Sequence, residues 1–332
     1  MENELLYQMQ NAFPMTKQPF KEVAKKLNAT EEEILSLVQK LKDEKIIRQT
    51  SAIFDTKRLG YTSSLVAFKV AEDKIDEAAE IINQHPGVSH NYLRNHDYNI
   101  WFTMAVAPDS KLGLAETIEI LKERTGAQDA ITLPTLKMFK ISVKMDTTGN
   151  RAKKEKVKKL AHKEITLTPQ HIAVIKELQK DISVTSEPYK KATENLGLSY
   201  DAFFAIANEL KESGVMRRFA TILNHRKAGF GANAMSVWVV PEEKGEEIGR
   251  QMAEFSAVSH CYLRPSYPNW PYNLFAMVHG KSQEECDTLI DEMAKESGLA
   301  EYGKLYSTRE FKKQRLVYFD DAFKEWEERV KS

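Results

Sequence analysis

The stretch VSHCYLRPSYPNWPYN, residues 258–273, brings a histidine, an arginine, four aromatic rings and three prolines into sixteen positions. Each proline removes a backbone donor, so the stretch reads as a strand running into a rigid loop rather than as one buried strand. In the strand part His260, Tyr262 and Arg264 stand two apart and share one face, while Cys261 and Leu263 turn the other way, toward packing. A large, flat ligand bearing carboxylates needs forks to pair with them, rings to cover its π surface, and a proton donor or iron ligand. The second half of the chain holds more of the same chemistry in Arg217, Arg218, His225, Arg226, Lys227, Tyr267, Trp270 and Tyr272. A late cluster, STREFKKQR, adds Arg309, Lys312, Lys313 and Arg315. Trp270, set between prolines, is expected to be exposed or to face a ligand, whereas Trp238 and Phe255 are expected in the core. Taken singly, His225 is an ordinary hydrogen-bonded side chain, and Arg226 or Arg315 an ordinary solvated one. The His260 set stands apart because VSHNYLRNHDYN (88–99) repeats its frame with His90, Tyr92 and Arg94. An exposed strand face has no packing reason to keep that chemistry twice.

The repeat extends well beyond this motif. IIRQTSAIFDTKRLGY (46–61) aligns with VMRRFATILNHRKAGF (215–230) at an offset of 169, VSHNYLR with VSHCYLR at 170, and YNIWF (98–102) with YNLFA (272–276) at 174. The extra residues fall in the proline-rich loop of the second copy, so the copies are not equivalent. Ile34, Leu37, Val38 and Leu41 correspond to Phe203, Ile206, Ala207 and Leu210, both sets spaced for one face of a helix. Helices are expected over 2–12, 18–28 and 30–43, and again over 169–180, 186–196 and 199–213, with Thr30 and Ser199 as N-caps. Strand-like runs at 64–70 and 234–240 open a strand–helix–strand–strand–helix–strand series. The fold expected is α+β: a tandem duplication of a winged helix-turn-helix plus a ferredoxin-like βαββαβ unit. Its parts would be helix-turn-helix segments over 1–60 and 167–229, ferredoxin-like ligand units over 61–148 and 230–332, and a basic, solvated linker over 149–166.

Composition narrows the function classes. The chain has 332 residues, 42% of them hydrophobic, and 48 basic residues against 48 acidic ones, so no global field favours a polyanion. Two cysteines, Cys261 and Cys286, make neither a disulfide framework nor a cysteine-based zinc site, which fits a reducing compartment. The opening residues lack a secretion signal and no apolar run is long enough to span a bilayer, so a cytoplasmic protein is expected.

The architecture resembles the Lrp/AsnC-like regulators, twice over. In those, a recognition helix offers donors to base edges and basic flanks to phosphates. Here the first of these turns reads TEEEILSL, which would set three glutamates against a polyanion, and the second, SYDAFFAI, has no basic residue before Lys211, so no DNA partner is expected. A regulator with a small-molecule or heme effector is the alternative reading. RRFATILNHRKAGF together with VSHCYLRPSYPNWPYNLFAMVHG resembles the siroheme decarboxylases, a group within this fold, in a form with its two related subunits fused in one chain.

That resemblance implies loss of the C12 and C18 acetate carboxyls of siroheme as carbon dioxide, giving 12,18-didecarboxysiroheme in heme or d-type heme synthesis. It implies siroheme and its product as partners, a pseudo-dimer within one chain that admits a homodimer, and no membrane. Direct loss of carbon dioxide from an acetate arm would leave a poorly stabilised carbanion, whereas a ring protonated first becomes an electron sink. The chemistry therefore needs a placed acid and no added cofactor. His260 and His225 are the candidates, and either could instead bind the substrate's iron axially; no metal site of the protein's own is expected. Arg217, Arg218 and Arg264 are expected to hold non-reacting arms, with Tyr262 and Trp270 closing over the ring and Lys227, Arg309, His90, Tyr92 and Arg94 completing the binding set. The first copy departs from the second: Gln49, Asp55 and Thr56 replace Arg218, Asn224 and His225, and His96 is added. It is expected to complete the pocket or to hold a weaker one.

Overall fold

The computed structural model describes residues 1–141, 163–224 and 232–331. The first copy runs α1 (Glu2–Asn11), α2 (Pro19–Lys26), α3 (Glu31–Asp43), β1 (Ile47–Phe54), β2 (Thr62–Lys69), α4 (Ile75–Asn83), β3 (Val88–Arg94), β4 (Ile100–Val106), α5 (Gly113–Thr125), β5 (Asp129–Leu133) and β6 (Lys137–Ile141). The second runs α6 (Pro169–Leu178), α7 (Lys190–Leu196), α8 (Tyr200–Glu212), β7 (Met216–Leu223), β8 (Ala232–Trp238), α9 (Gly245–Glu254), β9 (Val258–Leu263), β10 (Leu274–Gly280), α10 (Gln283–Ser297), β11 (Tyr302–Lys313) and a closing α11 (Ala322–Lys331). The order is the duplicated α+β series expected, with both helix triplets in place.

The caps are the ones read from sequence. Thr30 and Glu33 form a reciprocal capping box, Thr30 Oγ1 accepting from the Glu33 amide at 3.2 Å and Glu33 Oε2 from the Thr30 amide at 2.8 Å. Ser199 accepts from the Ala202 amide at 3.2 Å. Pro19 and Pro169 each open a helix, where a missing amide costs no bond.

Compact units cut across the repeat. One comprises described residues 1–61, 163–224 and 317–320; the other comprises 62–141, 232–316 and 321–331. In the first unit, both helix triplets end in strands that pair with each other: β1 lies antiparallel to β7, with Ser51 opposite Ala220 and Thr50 opposite Thr221. Ser51 and Ala220 are equivalent positions of the two copies, so a local two-fold axis passes through that pair. The Thr50 and Thr221 hydroxyls, 2.8 Å apart, satisfy each other in the buried centre.

The second unit holds a sheet ordered β5-β2-β4-β3-β11-β8-β10-β9-β6. Each half is a ferredoxin-like set, and exchange of final strands joins them. Residues Tyr302–Tyr306 of β11 pair with β8 of their own copy, whereas Ser307–Lys313 pair with β3 of the other. The first copy does the same in two pieces, β5 on its own β2 and β6 on β9. Each VSHxYLR strand thus lies between its own sheet and a strand lent by the other copy.

Two cores sit under the helices: Val66, Phe68, Ile100, Phe102 and Leu121 in the first copy, and Trp238, Ile248, Met252, Phe255 and Ile290 in the second. A third lies on the helix-free face and mixes both copies, with Trp101, Ile131 and Leu133 against Val237, Trp270, Phe275 and Leu305. Trp238 and Phe255 are core residues, as expected.

Candidate active site

His260 faces Met277 and Tyr262 faces Phe275 on β10, which places both side chains on the helix-free face beside the mixed core. The register slips between Met277 and Val278, so Ser259 is an extra residue on β9. Such a bulge interrupts alternation and re-aims a side chain. Here it brings Ser259 onto the side of its neighbour, with Oγ 2.7 Å from His260 Nδ1. The same hydroxyl lies 2.6 Å from Nε2 of His279, on β10 two residues beyond Met277. His279 was not singled out from sequence; the signal was its even spacing from Phe275 and Met277, which puts all three on one face.

The first copy repeats the frame with a different tail. Its bulge falls at Ser89, whose Oγ lies 2.9 Å from His90 Nδ1 and 3.0 Å from the Thr103 hydroxyl. Imidazole and phenol rings lie side by side and tilted alike in both, with centroids 6.2 Å apart for His90–Tyr92 and 6.1 Å for His260–Tyr262.

The guanidiniums behind these rings are buried: Arg264 is 9% exposed and Arg94 7%. Arg264 lies over the Tyr262 ring at 4.8 Å and donates from Nη1 to the Leu133 carbonyl at 2.6 Å and to the Thr135 hydroxyl at 3.3 Å. Arg94 lies over Tyr92 at 5.7 Å and donates to the Leu305 carbonyl at 3.2 Å. Both carbonyls belong to the other copy, near the point where its final strand leaves its own sheet and loses ladder partners. The expectation that Arg264 and Arg94 reach out as open forks therefore meets a different placement, in which each staples an exchanged strand. Burial, partly offset by the neighbouring tyrosine, pulls both guanidinium pKa values down to about 10, so both stay charged near neutrality. No carboxylate pairs with either among the described residues. Two uncompensated cations thus back the His–Tyr faces.

Trp270 corrects its expectation. It is fully buried rather than exposed, and its ring touches those of Trp101, His96, Tyr98 and Tyr272. Reciprocal backbone bonds between Tyr267 and Trp270, of 2.7 and 2.9 Å, close a tight loop that folds the indole inward. The prolines stiffen that loop, and the inserted residues give it the length to turn the ring under. Arg309 is also turned elsewhere: it stands opposite Leu93, ion-pairs with Asp76 of α4 and lies over Phe311 at 4.8 Å, on the helix side of the sheet. Arg217 and Arg218 belong to the helical unit. Arg217 donates twice to Asp55 Oδ2, at 3.2 and 2.8 Å. Burial would raise the Asp55 carboxyl, but the Arg58 amide and the Arg217 charge outweigh it and hold it low. Arg218 is half-buried, which lowers its guanidinium pKa. His225, Arg226 and Lys227 lie outside the described residues, as does most of the expected linker.

Cys261, on the opposite side of β9, is fully buried, and burial raises its thiol to about 12, which removes it as a nucleophile. Among the described residues no cluster of histidine, cysteine and carboxylates could hold a metal ion, and no helix is long and apolar enough to cross a membrane. A cleft of about 610 Å³ beside α3, lined by Leu35, Gln39, Lys40 and Val184, takes in none of the residues above.

Comparison with known proteins places the family. The AsnC-like ligand binding domain matches residues 58–140 and 227–312, and the siroheme decarboxylase NirDL-like HTH domain matches 2–48 and 172–217. A siroheme decarboxylase of Hydrogenobacter thermophilus is 40% identical over 98% of this chain and 96% of its own. A siroheme decarboxylase beta subunit of Methanosarcina barkeri is 42% identical but covers 43% of this chain against 93% of its own, the relation of one half to a fused whole. A crystal structure of the siroheme decarboxylase NirDL in complex with an iron-uroporphyrin III analogue superposes with a TM-score of 0.79 at 35% identity, over 99% of this chain and 98% of that one. Fold, duplicated motif and full-length similarity coincide: this chain belongs to the siroheme decarboxylase family, in its single-chain form.

Proposed function

We propose that the chain decarboxylates siroheme, removing the C12 and C18 acetate carboxyls as carbon dioxide to give 12,18-didecarboxysiroheme, as a carboxy-lyase without an added organic cofactor. The observation that carries this reading is the doubled His–Tyr face, each copy backed by a buried guanidinium that has no acidic partner among the described residues. Positive potential of this kind draws a polycarboxylate, and the half-buried rings of His260 and Tyr262 offer an acid and a flat contact. His260 would protonate the macrocycle; the acetate C–C bond then breaks, its electron pair flows into the protonated ring to leave an exocyclic methylene, and shift of the ring proton to that carbon completes the methyl group. A placed acid of this type contributes about 10²–10⁴-fold. A cation directly on the reacting carboxylate would stabilise the state that must lose its charge, which suits guanidiniums set back behind tyrosines. Arg217 and Arg218 enter the proposal as independent contributors to affinity.

The same reading makes the helix-turn-helix segments scaffold. Glu33 is spent on its own cap, and Glu31 accepts from Ser186 at 2.9 Å, so acidic residues open α3 for structural reasons. The domain limits expected from sequence, a cytoplasmic location and a pseudo-dimer within one chain that admits a homodimer complete the proposal.

Anaerobic incubation with siroheme, followed by mass, tests it: two successive losses of carbon dioxide are expected, and binding without loss would reduce the chain to a tetrapyrrole-binding module. Saturable, sequence-selective retardation of DNA at low salt would favour the regulator instead.

A further inference from the structure

A hydroxyl held between two imidazole nitrogens at 2.7 and 2.6 Å cannot donate to both, having one proton. In one arrangement His279 Nε2–H donates to Ser259, and Ser259 donates to His260 Nδ1. His260 then carries its proton on Nε2, the nitrogen that an acid facing the substrate requires. In the reverse arrangement that nitrogen carries only a lone pair. The serine thus couples the protonation of two histidines from neighbouring strands, and both short contacts depend on the bulge that turns Ser259 toward them.

We infer that Ser259 and His279 form a relay that sets the tautomer of His260 and delivers a proton to its Nδ1 as Nε2 gives one up; this rests on the reading of His260 as the acid. The Nε2 proton of His260 passes to the macrocycle, the Ser259 hydroxyl proton passes to His260 Nδ1, and the Nε2 proton of a protonated His279 passes to Ser259 Oγ. One proton has moved from His279 to substrate, His279 ends neutral, and no heavy-atom bond changes in the relay itself. That leaves His260 with its proton on Nδ1; once product departs, protonation of its half-buried ring at Nε2 by solvent drives the two transfers through Ser259 in reverse and restores protonated His279. In the first copy Ser89 instead meets the hydroxyl of Thr103, which cannot deliver a proton near neutral pH. The second copy is therefore the one that turns over, and the first presents His90 for contact alone. Ser259 and His279 are positioning residues, since they act through His260.

The test uses the full chain and siroheme, with kcat and KM measured separately. His279→Gln, which retains a hydrogen-bonding nitrogen and so guards against loss of fold, should lower kcat by about 10–100-fold while KM stays within about twofold. Ser259→Ala should match it, the double variant should be no slower than either, and Ser259→Thr should keep turnover. Added imidazole should restore His279→Ala but not Ser259→Ala. If His279→Gln and Ser259→Ala both turn over at the parental rate while His260→Ala is inactive, the relay is wrong and the acid assignment stands. If His260→Ala itself turns over normally, the acid assignment fails and the relay with it.

Discussion

His85 and His260 are the same side chain in opposite circumstances. His85 is 2% exposed, accepts from the Gly87 amide at 2.9 Å and lies against Trp326 of α11 with ring centroids 4.4 Å apart. Burial first, and the Lys312 charge second, bring its pKa down to about 3. The folded value lies below the unfolded one, so the unfolded chain takes the proton more readily. Stability that depends on neutral His85 is complete above about pH 6.5 and drains as pH falls toward 3, by about 1.4 kcal/mol per unit. Urea melts at pH 7, 6 and 5 should show this slope, and His85→Phe should flatten it; an unchanged slope would place the titration elsewhere. At the candidate site, alternation along the strand made the His260–Tyr262 face legible from sequence. Ser259 was not legible as a partner of His260, because alternation assigns neighbours to opposite faces and only the bulge reverses that. Trp270 misled for a similar reason: flanking prolines reveal a rigid loop but not which way it folds.

Among the elements, β6 shows how little of an exchanged strand is visible in advance. Strands β2, β4, β8 and β10 are apolar runs whose partners lie in the same copy, and they could be read directly. The wing strands β1 and β7, and β6, owe their pairing to the opposite copy, about which local periodicity says nothing. Phe139 of β6 is buried in the second copy's helix-side core against Gly249 of α9, where an added Cβ would stand 2.2 Å from the ring. Phe139→Ala should cost about 3 kcal/mol by opening a cavity, and Gly249→Ala should destabilise by pushing the ring and its strand away. Combined, they should cost less than their sum, since the smaller side chain makes room for the new methyl; additive losses would deny the contact. Thermal melts of the three variants decide it.

At the scale of the whole molecule, the copies are joined by more than a linker. Each lends a strand to the other's sheet, and each lends a wing to a shared ribbon. Residues 1–150 and 151–332 made as two chains should therefore co-purify as a one-to-one complex with tetrapyrrole affinity close to that of the intact chain, while either alone should aggregate through its open sheet edge. Two independently soluble, monomeric halves would contradict the exchange. The duplication itself was plain in the sequence from matching offsets, but offsets cannot distinguish two beads on a string from two interlocked halves.

Interlocking also sets an order of events during synthesis. The β3 edge acquires its neighbour only when residues about 215 positions downstream have been made, as the contact between Leu93 and Thr308 shows. A nascent first half must therefore leave the ribosome with that edge bare and stay unsettled until β11 has been made. This exposes it to holdase chaperones, and slow codons ahead of β11 would prolong the wait.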